Sequence, residues 1–378
     1  MKIMLDDGLS ISPGTGIGAM TRTLFSALKK ASESDEIEMV ENAFFEKIKP
    51  SLLRRGLYFL WLNTFFPQYL KNKNPSIVHF MNYLLPSAKP KGIKYIAAIH
   101  DLGVLHHPEF FIRSYVFYGK WTIHTTVKHA DLIITLSQFM KEKIIELFSI
   151  PWEKVYAIPD AIHEAFFVSP KNLSIGMRSD LSEKFGIKRD FLLFVGKLEK
   201  RKNILTLLKA FNEVRKNWNL QLALVGKPGF QFQLISDFIE RNNMERDVVI
   251  LQGVSLKELI FLYDSARLFI FPSFYEGFGL PLAEAMSRGL PIIASKIPTS
   301  IEVCGDAAQT YGEPSDHTSL AAKISAALND RNLCERLAAK GLIQAKRFSP
   351  EEIARQHLEV YRRLLGYNLG LSVNLNTQ

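Results

Sequence analysis

Cysteine and long apolar runs are scarce in this chain, and each scarcity excludes a class of protein. Only two cysteines occur, Cys304 and Cys334, and no metal-ligand spacing surrounds them. No uncharged apolar run approaches the roughly 20 residues that a membrane-spanning helix needs. The opening stretch, MKIMLDDGLSISPGTG, lacks the basic segment and apolar core of a secretory signal peptide. We therefore expect a reduced, cytoplasmic protein with no membrane-spanning segment.

Acidic residues are missing from the whole segment between Glu46 and Asp101. The chain carries a net charge of +9, and this segment accounts for all of it through nine basic residues: Lys47, Lys49, Arg54, Arg55, Lys71, Lys73, Lys89, Lys91 and Lys94. Its stretch SLLRRGLYFLWLNTFFPQYL suits a helix lying on an anionic membrane, here the inner face of the plasma membrane. An acidic acceptor, or a core helix with a solvated basic edge, would fit the same pattern. No nucleic-acid partner is expected, because no nucleic-acid motif accompanies the charge.

The length and the strand pattern predict two domains of the doubly wound α/β class. A chain of 378 residues exceeds one ordinary core, so two domains of roughly 150 to 200 residues are expected. Short apolar β-type runs alternate with helical patterns in both halves, as in SIVHFMN, YIAAIHD and DLIITLS, and then FLLFVG, QLALVG, VVILQG, LFIFPS and PIIAS. We place the domains at 1–170 and 187–350 around a polar linker, 171–186. A helix at 351–366 is expected to pack back onto the first domain.

One stretch, FPSFYEGFGLPLAEAMSRGLPIIAS, combines a glycine loop with two glutamates, Glu276 and Glu284. The pattern predicts a strand ending near Ser273, a loop, and a helix that runs to about Arg288. Glycines in the loop let the backbone approach a ligand, and the amides at the helix start form an anion site. Two acids beside that site suit hydroxyl groups on the same ligand, which should therefore carry both phosphate and sugar. Taken singly, each glutamate could also be an ordinary solvated or helix-dipole charge.

Two further constellations follow predicted strands. In LLFVGKLEKRKNI, Lys197 and Lys202 lie in one loop, where cations can neutralise a departing diphosphate. A solvated basic turn is the alternative, since Lys200 and Arg201 are basic too. In YIAAIHDLGVLHHPEFF, His100 ends a strand, whereas the histidines that follow it have no comparable context.

A glycine loop, SPGTGIGAM, precedes a helical pattern near the N-terminus. It does not fit the dinucleotide fingerprint, because the order of strand, G-x-G-x-x-G and downstream ribose acid is missing. By itself this loop is weak evidence for a ligand site.

The segment EGFGLPLAE is similar to the E-x7-E motif of the family 4 retaining glycosyltransferases, which have the GT-B fold of two Rossmann-like domains facing across a cleft. The likeness spans nearly the whole chain, including ADLIITLSQFMKEKI and IPTSIEVCGDAA. By this resemblance Glu276 approaches hydroxyls of the donor sugar and Glu284 holds the ribose of the nucleotide. The loop amides of Gly277, Phe278, Gly279 and Leu280 then meet the diphosphate or the sugar.

The resemblance also implies roles for residues outside that motif. Lys197 and Lys202 correspond to the Arg and Lys of a G-R-x-x-x-x-K-N loop that clamps the pyrophosphate, and Lys197 keeps the charge but loses the bidentate fork. The Gly16 and Gly18 loop faces the donor diphosphate, His100 contacts the donor sugar, and Val254 contacts the base through its backbone. The chain departs from the family pattern at Ala19-Met20 and at IPDAI. Without an Asp-x-Asp pair, neither a metal nor another cofactor is expected.

These implications predict a hexosyltransferase that moves a sugar from a nucleotide diphosphate to a glycan or lipid-linked glycan and retains the anomeric configuration. The segments IVHFMNYLLP, IHDL and SIEVCGDAA look most like bacterial mannosyltransferases of surface polysaccharide and lipopolysaccharide synthesis, which favours GDP-mannose as the donor. A UDP-sugar such as UDP-glucose remains open. A nucleotide-sugar epimerase of the same fold, a glycan phosphorylase and a lectin-like binding module are the other interpretations.

Overall fold

The computed structural model describes residues 1–8, 16–40, 45, 48, 51–168 and 183–367, so most of the predicted linker lies outside the described residues. Two units emerge. The first consists of Met1–Leu105, Ser114–His163 and Phe348–Gln378. The second consists of His106–Arg113 and Glu164–Arg347. The C-terminal segment thus belongs to the first unit.

Each unit is built on one six-stranded sheet. The strands, in chain order, are β1 (Lys2–Asp6), β2 (Glu36–Met39), β3 (Ile77–Phe80), β4 (Lys94–Ile99), β5 (Leu132–Thr135), β6 (Val155–Ala157), β7 (Phe191–Val195), β8 (Gln221–Val225), β9 (Val248–Leu251), β10 (Leu268–Phe271), β11 (Ile292–Ser295) and β12 (Ala308–Tyr311). The helices are α1 (Gly16–Ala31), α2 (Ser51–Thr64), α3 (Phe66–Lys73), α4 (Gly103–His106), α5 (Arg113–His129), α6 (Gln138–Phe148), α7 (Ile204–Val214), α8 (Gln233–Arg241), α9 (Leu256–Ser265), α10 (Leu280–Ser287), α11 (Pro298–Cys304), α12 (His317–Asn329), α13 (Arg331–Gln344) and α14 (Pro350–Leu364).

The first sheet is parallel and has the order β2-β1-β3-β4-β5-β6. The order reverses beside β1, because β2 pairs on one side of it and β3 on the other. Ligands of such sheets bind beyond the carboxyl ends of the strands at this switch point. The chain passes there from β1 toward α1, whose first residue is Gly16. The sequence patterns did not reveal β1, although this strand does precede the glycine loop.

The second sheet is also parallel and has the order β12-β11-β10-β7-β8-β9. Its order reverses between β7 and β10, so the loops that follow these two strands leave the sheet side by side. Every strand predicted in this half is present, although most end one or two residues earlier than expected. Strand β12 was missed because its sequence, AQTY, is too polar to be recognised as a buried strand.

The C-terminal helix α14 has the signals of a complete helix. Ser349 accepts a hydrogen bond from the Glu352 amide, Pro350 occupies the first turn, and arginines lie in the last turn. Its apolar side chains, such as Ile353 and Tyr361, are buried in the core of the first unit together with residues of α1. Burial of this stripe attaches the end of the chain to the first sheet.

A close approach between the ends of β7 and β8 predicts a large cost for one substitution. At Gly226, where φ is +157°, an added Cβ would lie 1.8 Å from the carbonyl oxygen of Gly196. Because the obstacle is backbone, Gly226→Ala should lower the free energy of unfolding by about 3 kcal/mol or more. Thermal unfolding followed by circular dichroism measures the shift in the midpoint. As the control, Gly56→Ala in α2 meets no atom within 4 Å and should leave the midpoint unchanged or slightly higher; equal midpoints for both variants would contradict the account.

Candidate active site

The loops after β7 and β10 are bonded to each other. Asn203 donates from Nδ2 to the carbonyl oxygens of Pro272, at 2.9 Å, and Pro314, at 2.6 Å. Asn203 has a φ of +56°, a conformation that asparagine adopts more readily than most residues. The amide of Phe274 donates to the carbonyl of Arg201 at 3.0 Å. These bonds fix the two loops at the switch point of the second sheet.

Glu276 lies in this region with both carboxylate oxygens bonded to cations. Lys202 Nζ is 2.6 Å from Oε1, and Arg201 Nη1 is 2.7 Å from Oε2. Glu276 is only 5% exposed and Lys202 only 8%. Burial alone would raise the pKa of Glu276, but Arg201 and Lys202 outweigh it and lower that pKa to about 2. Glu276 is therefore ionised and held in one orientation.

The paired carboxylate of Glu276 still has acceptor capacity. An ionised carboxylate offers about four lone-pair positions, and the two cations occupy one on each oxygen. The remaining positions can accept hydrogen bonds from ligand hydroxyl groups. Because its partners are already in place, the carboxylate need not reorganise when such a ligand binds.

Lys197 lies at the exposed end of the same charge network. Its side chain is 58% exposed, and Nζ is 3.1 Å from Oε2 of Glu199. The other oxygen of Glu199 is 3.3 Å from Arg201 Nη2. Three positive and two negative side chains are thus connected, which leaves one net positive charge beside the loop. From the sequence, Arg201 entered only the alternative interpretation of this loop as a solvated basic turn. Its basic neighbours gave no signal that it pairs with Glu276.

The start of α10 has a backbone that only glycine fits easily. Gly279 is the N-cap residue, has a φ of +104°, and provides no side-chain cap. A Cβ there would lie 3.0 Å from Cδ1 of Leu282 and 3.2 Å from Cζ of Phe271. Gly277 and Phe278, just before it, are buried. Leu280 begins the helix, and no side chain caps its first turn. Within that turn Pro281 has no N–H, and the amide of Leu282 donates to the carbonyl of Gly279 at 2.8 Å, so the amide of Leu280 is the first that an anion could meet.

Glu284 lies one turn further along α10. Its Oε2 accepts a hydrogen bond of 2.8 Å from the hydroxyl of Tyr263 in α9. Burial raises the pKa of Glu284 to about 7, although the Tyr263 bond opposes that rise. This carboxyl group therefore changes its charge near neutral pH. Tyr263 was missed because its helix, LKELIFLYDS, looks like an ordinary core helix.

The segment His106–Arg113 packs against the loop that carries Glu276. The ring of His107 is 4.9 Å from that of Tyr275, and Phe110 stacks on Phe274 at 5.7 Å. No role was predicted from the sequence for His106 or His107. No local pattern could have revealed the contact, because the two segments are far apart in the chain.

His100 follows β4 in the first unit. Its Nε2 is 2.6 Å from the carbonyl oxygen of Met81, so Nε2 carries the proton and Nδ1 is left as an acceptor. Nδ1 has no hydrogen-bond partner among the described residues. Burial lowers the pKa of His100, which is therefore neutral at pH 7. Beside it is a cavity of about 20 Å³, large enough for one water molecule, into which Asp160 and His357 also face.

The remaining predicted residues lie at strand ends or helix starts. Gly16 and Gly18 form the first turn of α1, beside the switch point of the first sheet. Val254 is half-buried between β9 and α9, directly before Ser255, which caps α9 in a capping box with Glu258. The second unit thus brings together Lys202, Glu276, Glu284 and the start of α10, with Lys197 at the edge. His100, Gly16 and Gly18 belong to the first unit.

Two absences concern the described part of the chain. Among its histidines, cysteines and acids, no group of three or more could hold a metal ion. None of its helices combines the length and the apolar character that spanning a bilayer requires.

Comparisons with known proteins agree with this geometry. The family model described as "Glycosyl transferases group 1" matches residues 177–344, and the one described as "Glycosyltransferase Family 4" matches residues 24–166. Over 389 residues the chain is 29% identical to O-antigen chain mannosyltransferase B of Escherichia coli, covering 96% of this chain and all of that protein. O-antigen chain mannosyltransferase RfbU of Salmonella typhimurium is 25% identical over 81% of this chain and 85% of its own length.

The fold also matches a solved structure. HepE of Anabaena, crystallised with UDP and glucose, superposes with a TM-score of 0.72 at 18% identity, over 96% of this chain and all of that one. The resemblance to bacterial mannosyltransferases of surface polysaccharide synthesis and the prediction of the fold class are both confirmed. The chain belongs to the family 4 glycosyltransferases and has their GT-B fold.

Proposed function

We propose that this glycosyltransferase moves mannose from GDP-mannose to a glycan or lipid-linked glycan, with retention of the anomeric configuration. The observation that carries the proposal is the ionised Glu276, held by Arg201 and Lys202 beside the uncapped start of α10. A fixed carboxylate suits sugar hydroxyls, and the helix start suits phosphate. The names of the mannosyltransferases from Escherichia coli and Salmonella typhimurium support mannose and an O-antigen type of acceptor.

The donor is proposed to lie along this loop and helix. Glu276 accepts hydrogen bonds from hydroxyls of the sugar, and the amides from Gly277 to Leu280 approach the diphosphate. Glu284 accepts hydrogen bonds from the ribose, in a position where Tyr263 already orients its carboxylate. Val254 is assigned to the base through its backbone. His100, with a neutral ring and Nδ1 available as an acceptor, is assigned to a hydroxyl of the donor sugar, and the Gly16 and Gly18 turn to the diphosphate.

The proposed chemical step breaks the bond between the anomeric carbon and the diphosphate oxygen. Positive charge develops on the sugar ring while negative charge accumulates on the diphosphate. Lys197, Lys202 and the loop amides stabilise that negative charge, and the network keeps one net positive charge for this purpose. The acceptor oxygen then bonds to the same face of the anomeric carbon, and its proton passes to the departing diphosphate. Because these cations provide the counter-charge, neither a metal ion nor another cofactor enters the proposed scheme.

A UDP-sugar, such as UDP-glucose, is the alternative donor. HepE, which has the same fold, was crystallised with UDP and glucose, and at 18% identity that likeness concerns the fold alone. The two donors differ in the base, which the sequence assigns to backbone contacts near Val254. Turnover of each donor, measured side by side with the same acceptor, separates them.

Removal of the buried cation tests the proposed role of the network. Lys202→Ala should lower kcat for transfer from GDP-mannose by about 10²- to 10³-fold, because the departing diphosphate loses a fixed positive charge. The protein should still fold, since Arg201 remains bonded to Glu276. Radiolabelled mannose transfer measures the rate. The control, Lys200→Ala, removes the same charge from an exposed position of the same loop, and equal losses in both variants would contradict the proposal.

The pKa of about 7 for Glu284 predicts pH-dependent nucleotide binding. Ribose hydroxyls donate to the ionised carboxylate, so binding must release the proton that Glu284 carries below pH 7. The affinity for GDP should therefore fall by about tenfold for each pH unit below 7. Titration calorimetry of the wild type and of Glu284→Gln measures this, and ionisation of the ligand itself cancels in the comparison. Parallel pH profiles for the two proteins would refute the assignment of Glu284 to the ribose.

A further inference from the structure

Helix α2 has apolar side chains on two opposite sides. Its inner side is buried, since Tyr58 donates a hydrogen bond of 2.7 Å to Asp6 at the end of β1, and Leu62 is fully enclosed. On the outer side, Leu53, Leu57 and Leu60 follow the spacing i, i+4, i+7, and 38% to 54% of each residue is exposed. The inner side of α2 thus supplies the side chains that pack into the core of the first unit. The outer leucines leave about half of their surface exposed on the first unit.

Helix α5 continues this exposed apolar surface. Phe117 is 79% exposed, and Tyr118 and Trp121 are more than two-fifths exposed. The ring of Trp121 is 5.8 Å from that of Phe59 in α2, which joins the two helices. We name the combined surface the aromatic face, formed by Leu53, Leu57, Phe59, Leu60, Phe117, Tyr118 and Trp121. Contiguous exposed apolar surfaces of this kind mark sites of interaction.

The charge around the aromatic face has one sign. Neither α2 nor α5 contains an acidic residue, and the chain from 47 to 130 has twelve basic residues but only Asp101 and Glu109 as acids. Lys120 and Lys128 of α5 are exposed. Apolar and aromatic side chains next to lysines complement an anionic lipid surface, because the apolar groups enter the boundary of the acyl chains while the cations meet the headgroups.

In the structure, fewer residues of 47–94 are available to meet a lipid surface than the sequence predicts. In α3, Phe66 and Leu70 are buried and Tyr69 is partly buried. Lys89 and Lys94 form ion pairs with Asp131, and Lys73 forms one with Glu38. The exposed large apolar side chains of the segment therefore lie on α2 and at Phe65, just after it. The partner helix, α5, lies outside the range predicted from the sequence.

We propose that the aromatic face docks the protein on an anionic bilayer surface. A second copy of the chain is a poorer occupant, because a two-fold contact through this face would bring like charges together. The face extends toward the carboxyl end of the first sheet through Tyr115, whose hydroxyl is 3.2 Å from that of Tyr83, just after β3. Docking would hold that end of the sheet near the lipid surface, where a lipid-linked acceptor would be found. The inference goes beyond the proposed function, since it does not depend on the donor or on the reaction.

Vesicle binding by the full-length protein tests this inference. The wild type should sediment with vesicles that contain phosphatidylglycerol, more weakly at high salt, and very little with phosphatidylcholine alone. The double variant Leu60→Glu/Phe117→Glu should bind the anionic vesicles at least about tenfold more weakly. The matched control, Leu234→Glu/Ile343→Glu, changes two exposed apolar residues of the second unit and adds the same charge. It should bind within about twofold of the wild type.

Several results would overturn the inference. The first is that the wild type fails to bind anionic vesicles at low salt. The second is that both double variants lose vesicle affinity equally. The third is that the wild type forms a dimer in sedimentation velocity that Leu60→Glu/Phe117→Glu dissociates and the control does not. Binding of a soluble oligosaccharide that the same variant abolishes would also assign the face to another occupant. The variant should keep its turnover with a water-soluble acceptor, because neither residue belongs to the proposed donor site. If the wild type binds vesicles but transfers no sugar, the proposed function fails while the docking surface stands.

Discussion

The ion pairs between Glu276 and the two cations Arg201 and Lys202 are the constraint on which the site depends. Removing a carboxylate and two cations from water is costly, and such groups persist only when their geometry is good and their partners are complete. Bonds of 2.6 and 2.7 Å meet that condition. They also set the ionisation of Glu276, because the two positive charges outweigh the effect of burial on its pKa. The proposed donor site therefore contains a carboxylate that is already charged and oriented.

The order of the strands explains why these residues meet at all. Strands β7 and β10 are far apart in the chain but adjacent in the sheet, at the point where the strand order reverses. The loops that follow them therefore begin side by side, and Asn203 ties them together. Lys202 and Glu276 are brought into contact by this topology and then fixed by their charges. Glycine at the start of α10 places no capping side chain over that end of the helix, which begins in the same region.

The sequence predicted the parts of the molecule that rest on local patterns. Strand, glycine loop and helix around Glu276 and Glu284 could be predicted because each has its own signal: an apolar run, two glycines, and proline in the first turn. The family and the fold followed from the same motif. Strands β1, β2 and β12 were not predicted. β1 stands at the very start of the chain with a charged residue at each end, and half of the residues of β2 and of β12 are polar.

Residues that act through distant contacts could not be predicted in this way. Arg201 has basic neighbours on both sides, so nothing distinguishes it until Glu276 is placed beside it. Tyr263 occupies a helix of core type and becomes meaningful only through its bond to Glu284. The sequence showed that the segment of α2 is apolar and basic. Which side of the helix faces the core becomes clear only from the buried hydrogen bond of Tyr58 to Asp6.

The most direct test of the central claim is a crystal structure of the protein with an unreactive analogue of GDP-mannose. Our account predicts a sugar hydroxyl within about 2.6 to 3.2 Å of the Glu276 carboxylate, while Arg201 and Lys202 stay bonded to it. It also predicts the ribose hydroxyls at Glu284 and the diphosphate at the start of α10. A sugar bound away from Glu276, or a Glu276 side chain that leaves its two cations to bind the ligand, would contradict the account.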